Sequence, residues 1–177
     1  MRIACLIVWA LAAQAATLEY LSLDDITERS TAIVRGRVLG SSASVHGPLI
    51  YTHFTVQVLE RWKGTDTAEL DVVVPGGTFQ GLRQTFPGTP KLAEGSEYIL
   101  FLWTGASGLT QVIGLSQGVF TLSTDNAGGL VAIRTASDST MLDSRTGRVV
   151  ADQPIRLKLS DLRSRVSART GRGGAAR

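Results

Sequence analysis

The sequence predicts an all-β domain, a barrel or a sandwich, with one small helix near each end. Short stretches in which apolar and polar residues alternate recur along the chain, as in strands that bury one face. Clusters of glycine, proline, asparagine and aspartate separate these stretches at fairly even spacing, so about eight short strands are expected. No internal repeat and no linker interrupts the 177 residues, a length that suits one domain with a hydrophobic core.

Residues 1–15 predict a secretory signal peptide. Arg2 gives a basic start, the stretch from Ile3 to Ala13 is apolar, and Ala13 and Ala15 form a cleavage site of the A-x-A type. The apolar stretch is shorter than the roughly 20 residues that cross a bilayer, so a retained anchor is the less favoured alternative. We expect cleavage after Ala15, a periplasmic or extracellular protein, and no transmembrane segment in the mature chain.

The single cysteine, Cys5, lies within this predicted signal peptide. The mature chain would then contain no thiol, which excludes disulfides, thiolate metal sites and a cysteine nucleophile. Cys5 also precedes most of the apolar stretch, whereas a lipidated cysteine follows it, so we expect no lipid anchor. Stability must therefore come from the hydrophobic core.

The formal net charge of +3 is unevenly distributed. Residues 16–161, the predicted domain, hold slightly more acidic than basic residues, whereas residues 162–177 hold no acidic residue. The basic residues of this C-terminal segment are Arg163, Arg165, Arg169, Arg172 and Arg177. Such a tail can contact phosphates or lipid headgroups, but five spread arginines are few for a polyanion site. We expect a disordered tail and no nucleic-acid partner.

The N-terminal half predicts a helix followed by three strands. SLDDITERS indicates a short helix, because Ser22 can cap its N-terminus and Asp24 and Asp25 suit its first turn. TAIVRGRVLG, LIYTHFTVQVLERW and AELDVVV then alternate with a period of two, as strands do. SSASVHGP and KGTDT are the predicted connections, and Pro75 ends the third strand.

The C-terminal half predicts further strands and a last helix. EYILFLW is apolar on both faces, which indicates a central strand that is covered on both sides. GLTQVIGL, GVFTLS and LVAIR follow as strands, with the turn DNAGG before the last of them. MLDSRTGRVVA favours a small hairpin with Thr146 and Gly147 in its turn, and SDLRSRVSAR favours a short helix capped by Ser160.

Residues 76–91 are the predicted recognition element. Glycines and prolines punctuate this segment, so we expect a long irregular loop of the Ω type, which is often functional. It lacks the Gly-Lys-Ser/Thr of a phosphate loop and the helix that a phosphate loop or a dinucleotide fingerprint requires. The predicted binding residues are Phe79, Arg83, Phe86 and Lys91. The phenylalanines either pin the loop from beneath, which we favour, or face a partner.

GLSQG, residues 114–118, matches the G-x-S-x-G pattern of serine hydrolases. In those enzymes a helix follows the serine and a histidine lies downstream. Here a strand is predicted after Ser116 and no histidine comes after His53. The pattern therefore favours glycines at a bend or bulge between strands, and catalysis by Ser116 is the less favoured alternative. We expect no catalytic residues.

The two histidines, His46 and His53, predict no metal site, because zinc usually takes three or four protein ligands. His53 falls on the polar face of its strand beside Tyr51 and Thr55, with no carboxylate at neighbouring strand spacing. We expect a solvated or hydrogen-bonded histidine and no metal or other cofactor.

The order of these motifs resembles the OB-like barrel of the netrin and tissue-inhibitor-of-metalloproteinase modules. The matching positions, within residues 31–103, are Val34, Gly36, Val38, Trp62, Lys63, Gly64, Gly95, Tyr98, Leu100 and Phe101. The chain is also similar to uncharacterised exported bacterial proteins that share PGG, a G-x-P loop and a GLSQG-like turn. The resemblance implies an OB-like Greek-key barrel of short antiparallel strands. The N-terminal cysteine through which inhibitors of that family bind a protease zinc has no counterpart in the mature chain.

These observations favour an exported, non-enzymatic binding module. The expected partner is a protein or a component of the cell envelope, recognised through residues 76–91 or through an exposed strand edge. Inhibition of an extracellular protease is the first alternative, and a serine hydrolase that uses Ser116 is the second. The identity of the partner and the oligomeric state are left open.

Overall fold

The computed structural model describes residues 17–64, 66–137 and 139–173. Strands form most of the regular structure in this part of the chain, accompanied by two helices, α1 (Leu23–Arg29) and α2 (Leu159–Gly173). The prediction of a mainly β domain with a helix near each end is confirmed. The predicted signal peptide, residues 1–15, lies outside the described residues.

Thirteen strands lie within the described ranges. They are β1 (Thr17–Glu19), β2 (Ala32–His46), β3 (Leu49–Lys63), β4 (Glu69–Pro75), β5 (Gly77–Phe79), β6 (Leu82–Gln84), β7 (Glu97–Thr104), β8 (Thr110–Val112), β9 (Val119–Thr124), β10 (Leu130–Arg134), β11 (Thr140–Leu142), β12 (Val149–Val150) and β13 (Ile155–Lys158).

Helix α1 begins where the sequence predicts. The Ser22 hydroxyl accepts a hydrogen bond from the Asp25 N–H, and the Asp25 carboxylate accepts one from the Ser22 N–H, which forms a capping box. These bonds satisfy two backbone donors that the first turn would leave free. Neither helix of the described ranges is long and apolar enough to cross a membrane.

Five strands close into a ring. β2, β3 and β4 form an antiparallel meander. β8 pairs in parallel with β4 and antiparallel with β7, and β7 returns to pair antiparallel with β2. The order around the ring is therefore β2–β3–β4–β8–β7, and these pairings leave none of the five strands at an open edge.

The prediction of short antiparallel strands is wrong in two respects. β2 and β3 are 15 residues long, because the serine-rich stretch predicted as a loop pairs with β3 from Ser41 to His46. The backbone N–H and C=O groups of this stretch bond to β3, so the connection between β2 and β3 consists only of Gly47 and Pro48. The sheet is also mixed, because residues 76–109 provide the long connection that a parallel β4–β8 pair requires.

Two hydrophobic cores lie on opposite faces of β7. Tyr98, Leu100 and Leu102 point into the ring. Ile99 and Phe101 point outward, to a second core that both helices help to form. The prediction that EYILFLW is covered on both sides is confirmed, and the period of two in β-strands explains why neighbouring residues enter different cores.

Helix α2 corrects the predicted domain boundary at residue 161. The helix runs from Leu159 to Gly173, and Leu162 and Val166 are fully buried in the outer core. The prediction of a disordered tail is therefore wrong for the helical part of residues 162–177. These two apolar residues are four apart and lie on one face of the helix, so their burial holds the helix against the domain. The arginines between them lie on the other face and stay at the surface. Ser160 lies inside the helix and is not its cap.

The remaining strands extend the ring. β9 pairs with β7, and β10 and β13 continue the same sheet outward. β1, β11 and β12 form a separate three-stranded sheet, in which the predicted hairpin of β11 and β12 is confirmed. A buried ion pair between Arg134 of β10 and Asp152 (Nη2–Oδ1 2.7 Å) holds the segment after β12 against β10.

Candidate functional site

Residues 76–91 include a small β-hairpin. β5 and β6 pair with each other, with Thr78 opposite Arg83 and a turn at Gln80 and Gly81, both of which have positive φ. The prediction of an irregular Ω-like loop is wrong for residues 77–84, because the backbone groups of two three-residue segments pair across this turn. Residues 85–91 contain no helix or strand.

The β5–β6 hairpin is bonded to the neighbouring end of β3. The Ile50 N–H donates to Gln84 Oε1 at 2.7 Å, and Gln84 Nε2 donates to the Pro48 carbonyl at 3.0 Å. The Gly76 N–H donates to the Ile50 carbonyl at 2.7 Å, and the Thr52 hydroxyl donates to the Gly76 carbonyl at 2.8 Å. These four bonds hold the hairpin over one end of the ring.

A groove of about 380 Å³ lies between this hairpin and the end of the ring, and we call it the hairpin groove. Its lining is formed by Thr52, Phe54, Val74, Pro75, Gly76, Gly77, Thr78, Arg83, Gln84, Thr85, Phe86, Thr89, Pro90, Lys91 and Leu92. Phe54, Val74 and Leu92 belong to the core inside the ring, so the base of the groove is apolar. The groove is therefore a concave apolar surface with a polar rim, as ligand sites commonly are.

Three of the four predicted binding residues line this groove together, namely Arg83, Phe86 and Lys91. Phe86 keeps 36% of its surface exposed, so it does not pin the segment from beneath. Phe79 is half-buried and lies outside the lining of the groove. The structure thus separates Phe79 from the other three residues.

The groove carries two cationic side chains. Arg83 and Lys91 are exposed, and neither forms an ion pair with another residue in the described ranges. Most other arginines in the part of the chain that the structure describes are paired with a carboxylate. A free cation beside an apolar base can attract an anionic group and bury an apolar one.

A second groove, of about 700 Å³, lies on the other side of residues 87–91, and we call it the hydroxyl groove. The described part of its lining includes Thr89, Lys91, Tyr98, Ser116, Thr121, Thr135, Ser137, Ser139 and Thr140, together with Pro87, Gly88, Pro90, Val119, Ile133 and Ala136. Thr89, Pro90 and Lys91 belong to both grooves and form the wall between them. One bound chain could therefore contact both grooves across this wall.

Ser116 lies in the hydroxyl groove within a short 3₁₀ turn, Leu115–Gly118. Its N–H donates to the Gly88 carbonyl at 2.9 Å, which ties this turn to the wall between the grooves. Strand β9 follows directly, as predicted, and the described lining of the groove includes no histidine. A serine hydroxyl without a base beside it is a weak nucleophile. Among the described residues that line the groove, no histidine is therefore placed to activate the Ser116 hydroxyl.

A hydrogen-bonded chain of Ser44, His53 and Asp71 crosses the outer face of three neighbouring strands. The Ser44 hydroxyl lies 2.7 Å from His53 Nε2, and His53 Nδ1 lies 2.8 Å from Asp71 Oδ2. The three residues come from β2, β3 and β4. None of them is among the described residues that line either groove.

The expectation that His53 has no neighbouring carboxylate is wrong. The β3–β4 register pairs Thr55 with Asp71, so Asp71 is the diagonal neighbour of His53 on the same face. Likewise, Tyr51 pairs with Ser44, so Ser44 is diagonal to His53 on its other side. The alternation of each strand is readable from the sequence, but the register between strands is not. That register brings the three side chains together.

An ion-pair network occupies another part of the outer surface. Arg35 binds Glu97 (2.8 Å) and Glu60 (2.7 Å), and Arg37 binds Glu97 (2.6 Å). The hydrogen bonds from Arg37 and then Arg35 lower the pKa of Glu97. Burial would raise the pKa of Glu60, but the hydrogen bonds from Arg35 and Trp62 outweigh it, and that pKa is lowered as well. The two arginines and two glutamates named here therefore balance one another's charge on this surface.

No three His, Cys, Asp or Glu side chains within residues 17–64, 66–137 and 139–173 are grouped so that they could hold a metal ion. Comparisons with protein-family models, with curated proteins and with solved structures found no match for this chain. The resemblance to the netrin and tissue-inhibitor modules therefore stays a prediction, and function has to be argued from the site.

Proposed function

We propose that this protein is an exported binding module built on an OB-like barrel, and that it recognises its partner through the hairpin groove without catalysing a reaction there. The observation that carries this proposal is the position of Arg83 and Lys91. Both are exposed and free of ion pairs in the described ranges, and both line a groove whose base is the apolar end of the ring. Arginine and aromatic side chains around well-packed pockets are enriched among the residues that contribute most to binding, which supports a recognition role for this groove.

The ring topology supports the OB-like part of the proposal. The order β2–β3–β4–β8–β7, closed by pairing of β7 with β2, gives five strands with one parallel pair. An OB-fold is a five-stranded Greek-key barrel, so both strand number and closure agree with it. The β5–β6 hairpin lies in the connection between the third and fourth strands of this ring.

The chemistry of the groove indicates the class of partner. Phe54, Val74 and Leu92 at its base favour an apolar side chain or acyl group, and the two cations favour a carboxylate or phosphate next to it. Export, which residues 1–15 predict, would place the partner in the periplasm or outside the cell. We infer a protein or cell-envelope component that presents an apolar group beside an anionic one.

A capture experiment with charge-reversed variants tests this proposal. Mature protein, residues 16–177, is immobilised and incubated with envelope and secreted fractions of the source cell, beside the double variant Arg83→Glu/Lys91→Glu. The matched control is Arg148→Glu/Arg165→Glu, which reverses two exposed arginines outside both grooves. The purified partner is then titrated against each protein by calorimetry.

We expect the groove variant to bind the partner at least about tenfold more weakly, which is about 1.4 kcal/mol, while the control keeps the wild-type affinity. Phe86→Ser should weaken binding without changing the net charge, which separates the apolar contribution from the electrostatic one. Equal affinity for all four proteins would overturn the proposal and would direct attention to the strand edges.

A further inference from the structure

We propose that Ser44 is a nucleophile that His53 and Asp71 activate, and that this second site accepts acyl groups from small activated esters. The site lies on the outer face of β2, β3 and β4, apart from both grooves. It adds a chemical activity to a chain whose sequence predicts none. Its support is the geometry of the three side chains.

The two hydrogen bonds set the protonation of the imidazole. A carboxylate only accepts hydrogen bonds, so the 2.8 Å contact with Asp71 requires the proton of the neutral His53 ring to be on Nδ1. His53 Nε2 is then the unprotonated nitrogen, and it lies 2.7 Å from the Ser44 hydroxyl. That is the arrangement a general base needs in order to take the serine proton.

The sheet holds the three side chains in place. Each residue lies within a strand. His53 is paired on both sides, with Ser42 of β2 and Val73 of β4, while Ser44 pairs with Tyr51 and Asp71 pairs with Thr55. His53 keeps only 24% of its side chain exposed, so its ring has little room to turn away. Sites on strands are positioned more accurately than sites on loops.

The exposure of Asp71 limits the reaction. Its side chain is 61% exposed, unlike the buried aspartate of serine proteases, so it stabilises the charged imidazole less strongly. The open sheet face also leaves the acyl group in contact with water. Activated aryl esters suit such a site, because a phenolate leaves readily and requires less stabilisation of the transition state.

The proposed reaction has two steps. In the first, Ser44 Oγ bonds to the carbonyl carbon of the ester while its proton moves to His53 Nε2, and the carbon–oxygen bond to the leaving phenol breaks as the phenol takes that proton. In the second, a water oxygen bonds to the same carbon, gives one proton to His53 Nε2, and the proton returns to Ser44 as the acyl–serine bond breaks. The overall change is hydrolysis of the ester to an acid and a phenol.

Ser116 provides a matched control within the same chain. Ser116 carries the sequence pattern of a serine nucleophile but has no described histidine beside it, whereas Ser44 has the histidine without the pattern. A fluorophosphonate probe distinguishes them, because the activated oxygen bonds to phosphorus and fluoride leaves with the transferred proton. Digestion and mass spectrometry of the unaltered protein then show which serine carries the adduct.

We expect the adduct on Ser44, hydrolysis of p-nitrophenyl acetate by the folded protein, and loss of both in Ser44→Ala but not in Ser116→Ala. His53→Ala should slow labelling by at least about 100-fold, the usual contribution of a general base, and added imidazole should restore part of the rate. A purely structural histidine would not give that rescue. Folding of each variant is checked by circular dichroism.

An adduct on Ser116, or no adduct on the folded wild-type protein, would overturn the proposal. So would labelling at an unchanged rate in His53→Ala. The three residues would then serve as a polar cross-strand network that stabilises the β2–β3–β4 meander. The wild-type adduct map decides the question even if a variant fails to fold.

Discussion

Leu100 and Phe101 are consecutive residues of β7, yet they lie in two different hydrophobic cores. Leu100 packs inside the five-stranded ring, and Phe101 packs outward against Phe120, with ring centroids 5.6 Å apart. Both side chains are fully buried. β7 is therefore the strand that the two cores share. A substitution on either face of β7 should lower the stability of the whole domain.

Replacing Phe101 by alanine should lower the free energy of unfolding by about 3–5 kcal/mol, because it removes the phenyl ring and leaves a cavity beside Phe120. Urea denaturation followed by fluorescence measures this loss. The control is Val149→Ala, which shortens an apolar side chain that is 70% exposed and should change stability by less than about 0.5 kcal/mol. Similar effects of the two changes would contradict the burial of Phe101 in the outer core.

Replacing Asp152 by alanine should cost about 3–5 kcal/mol, because it leaves the Arg134 charge buried without its partner. The side chains of Arg134 and Asp152 are only 2% and 1% exposed. Asp66, which pairs with Arg61 and is 89% exposed, is the matched control, and Asp66→Ala should cost less than about 1 kcal/mol. Thermal unfolding of both variants compares the two ion pairs. Equal losses of stability would show that burial of the Arg134–Asp152 pair does not increase the cost of removing its carboxylate.

Glu97 should make the stability of the domain fall in acid. Its pKa lies below the ordinary value of 4.5 because Arg37 and Arg35 donate hydrogen bonds to it. Its contribution to stability is therefore complete above that ordinary value and is lost as the pH falls through the lower pKa of the folded protein. Unfolding in urea at a series of acid pH values should show a weaker pH dependence for Glu97→Gln than for the wild type.

The control for Glu97 is Glu69→Gln. Glu69 is exposed on β4 and takes part in no ion pair with another described residue. This variant should keep the acid dependence of the wild type. An unchanged acid dependence in Glu97→Gln would mean that the arginines do not stabilise the carboxylate in the folded state.

Replacing Gly118 by alanine should destabilise the domain by about 1–3 kcal/mol through overpacking. A Cβ at this position would overlap the Ile113 carbonyl oxygen and lie 3.0 Å from that of Phe101, and backbone atoms cannot move aside cheaply. Gly40→Ala is the control, because a Cβ there meets no atom within 4 Å. Equal melting temperatures for the two variants would show that the close approach at Gly118 can relax.

The Gly118 contacts also explain why GLSQG resembles a nucleophile motif. Gly114 adopts a positive φ of 61°, and Gly118 allows the turn to pack against the β7 backbone. Spacing of glycines around a serine therefore arises here from backbone geometry. The serine that does have a histidine beside it, Ser44, carries no such pattern, so a search for motifs singles out Ser116 and passes over Ser44.

Local signals in the sequence determined much of the fold. The capped helix at Ser22, the alternation within β2, β3 and β4, and the two buried faces of β7 all follow from residues close together in the chain, because capping and alternation are local properties. The grouping of Arg83, Phe86 and Lys91 could also be predicted from the sequence, because the three residues are close together within residues 76–91.

Only the tertiary structure decided which strands pair, in what register, and what those pairings bring together. The parallel β4–β8 pair and the burial of Leu162 depend on contacts between residues far apart in sequence. The Ser44–His53–Asp71 chain depends on the register of three neighbouring strands. Register depends on the fit of a whole sheet to its core, and a shift of one residue would turn His53 away from Asp71. The chain's residues therefore specified its strands, while the contacts between strands specified its sites.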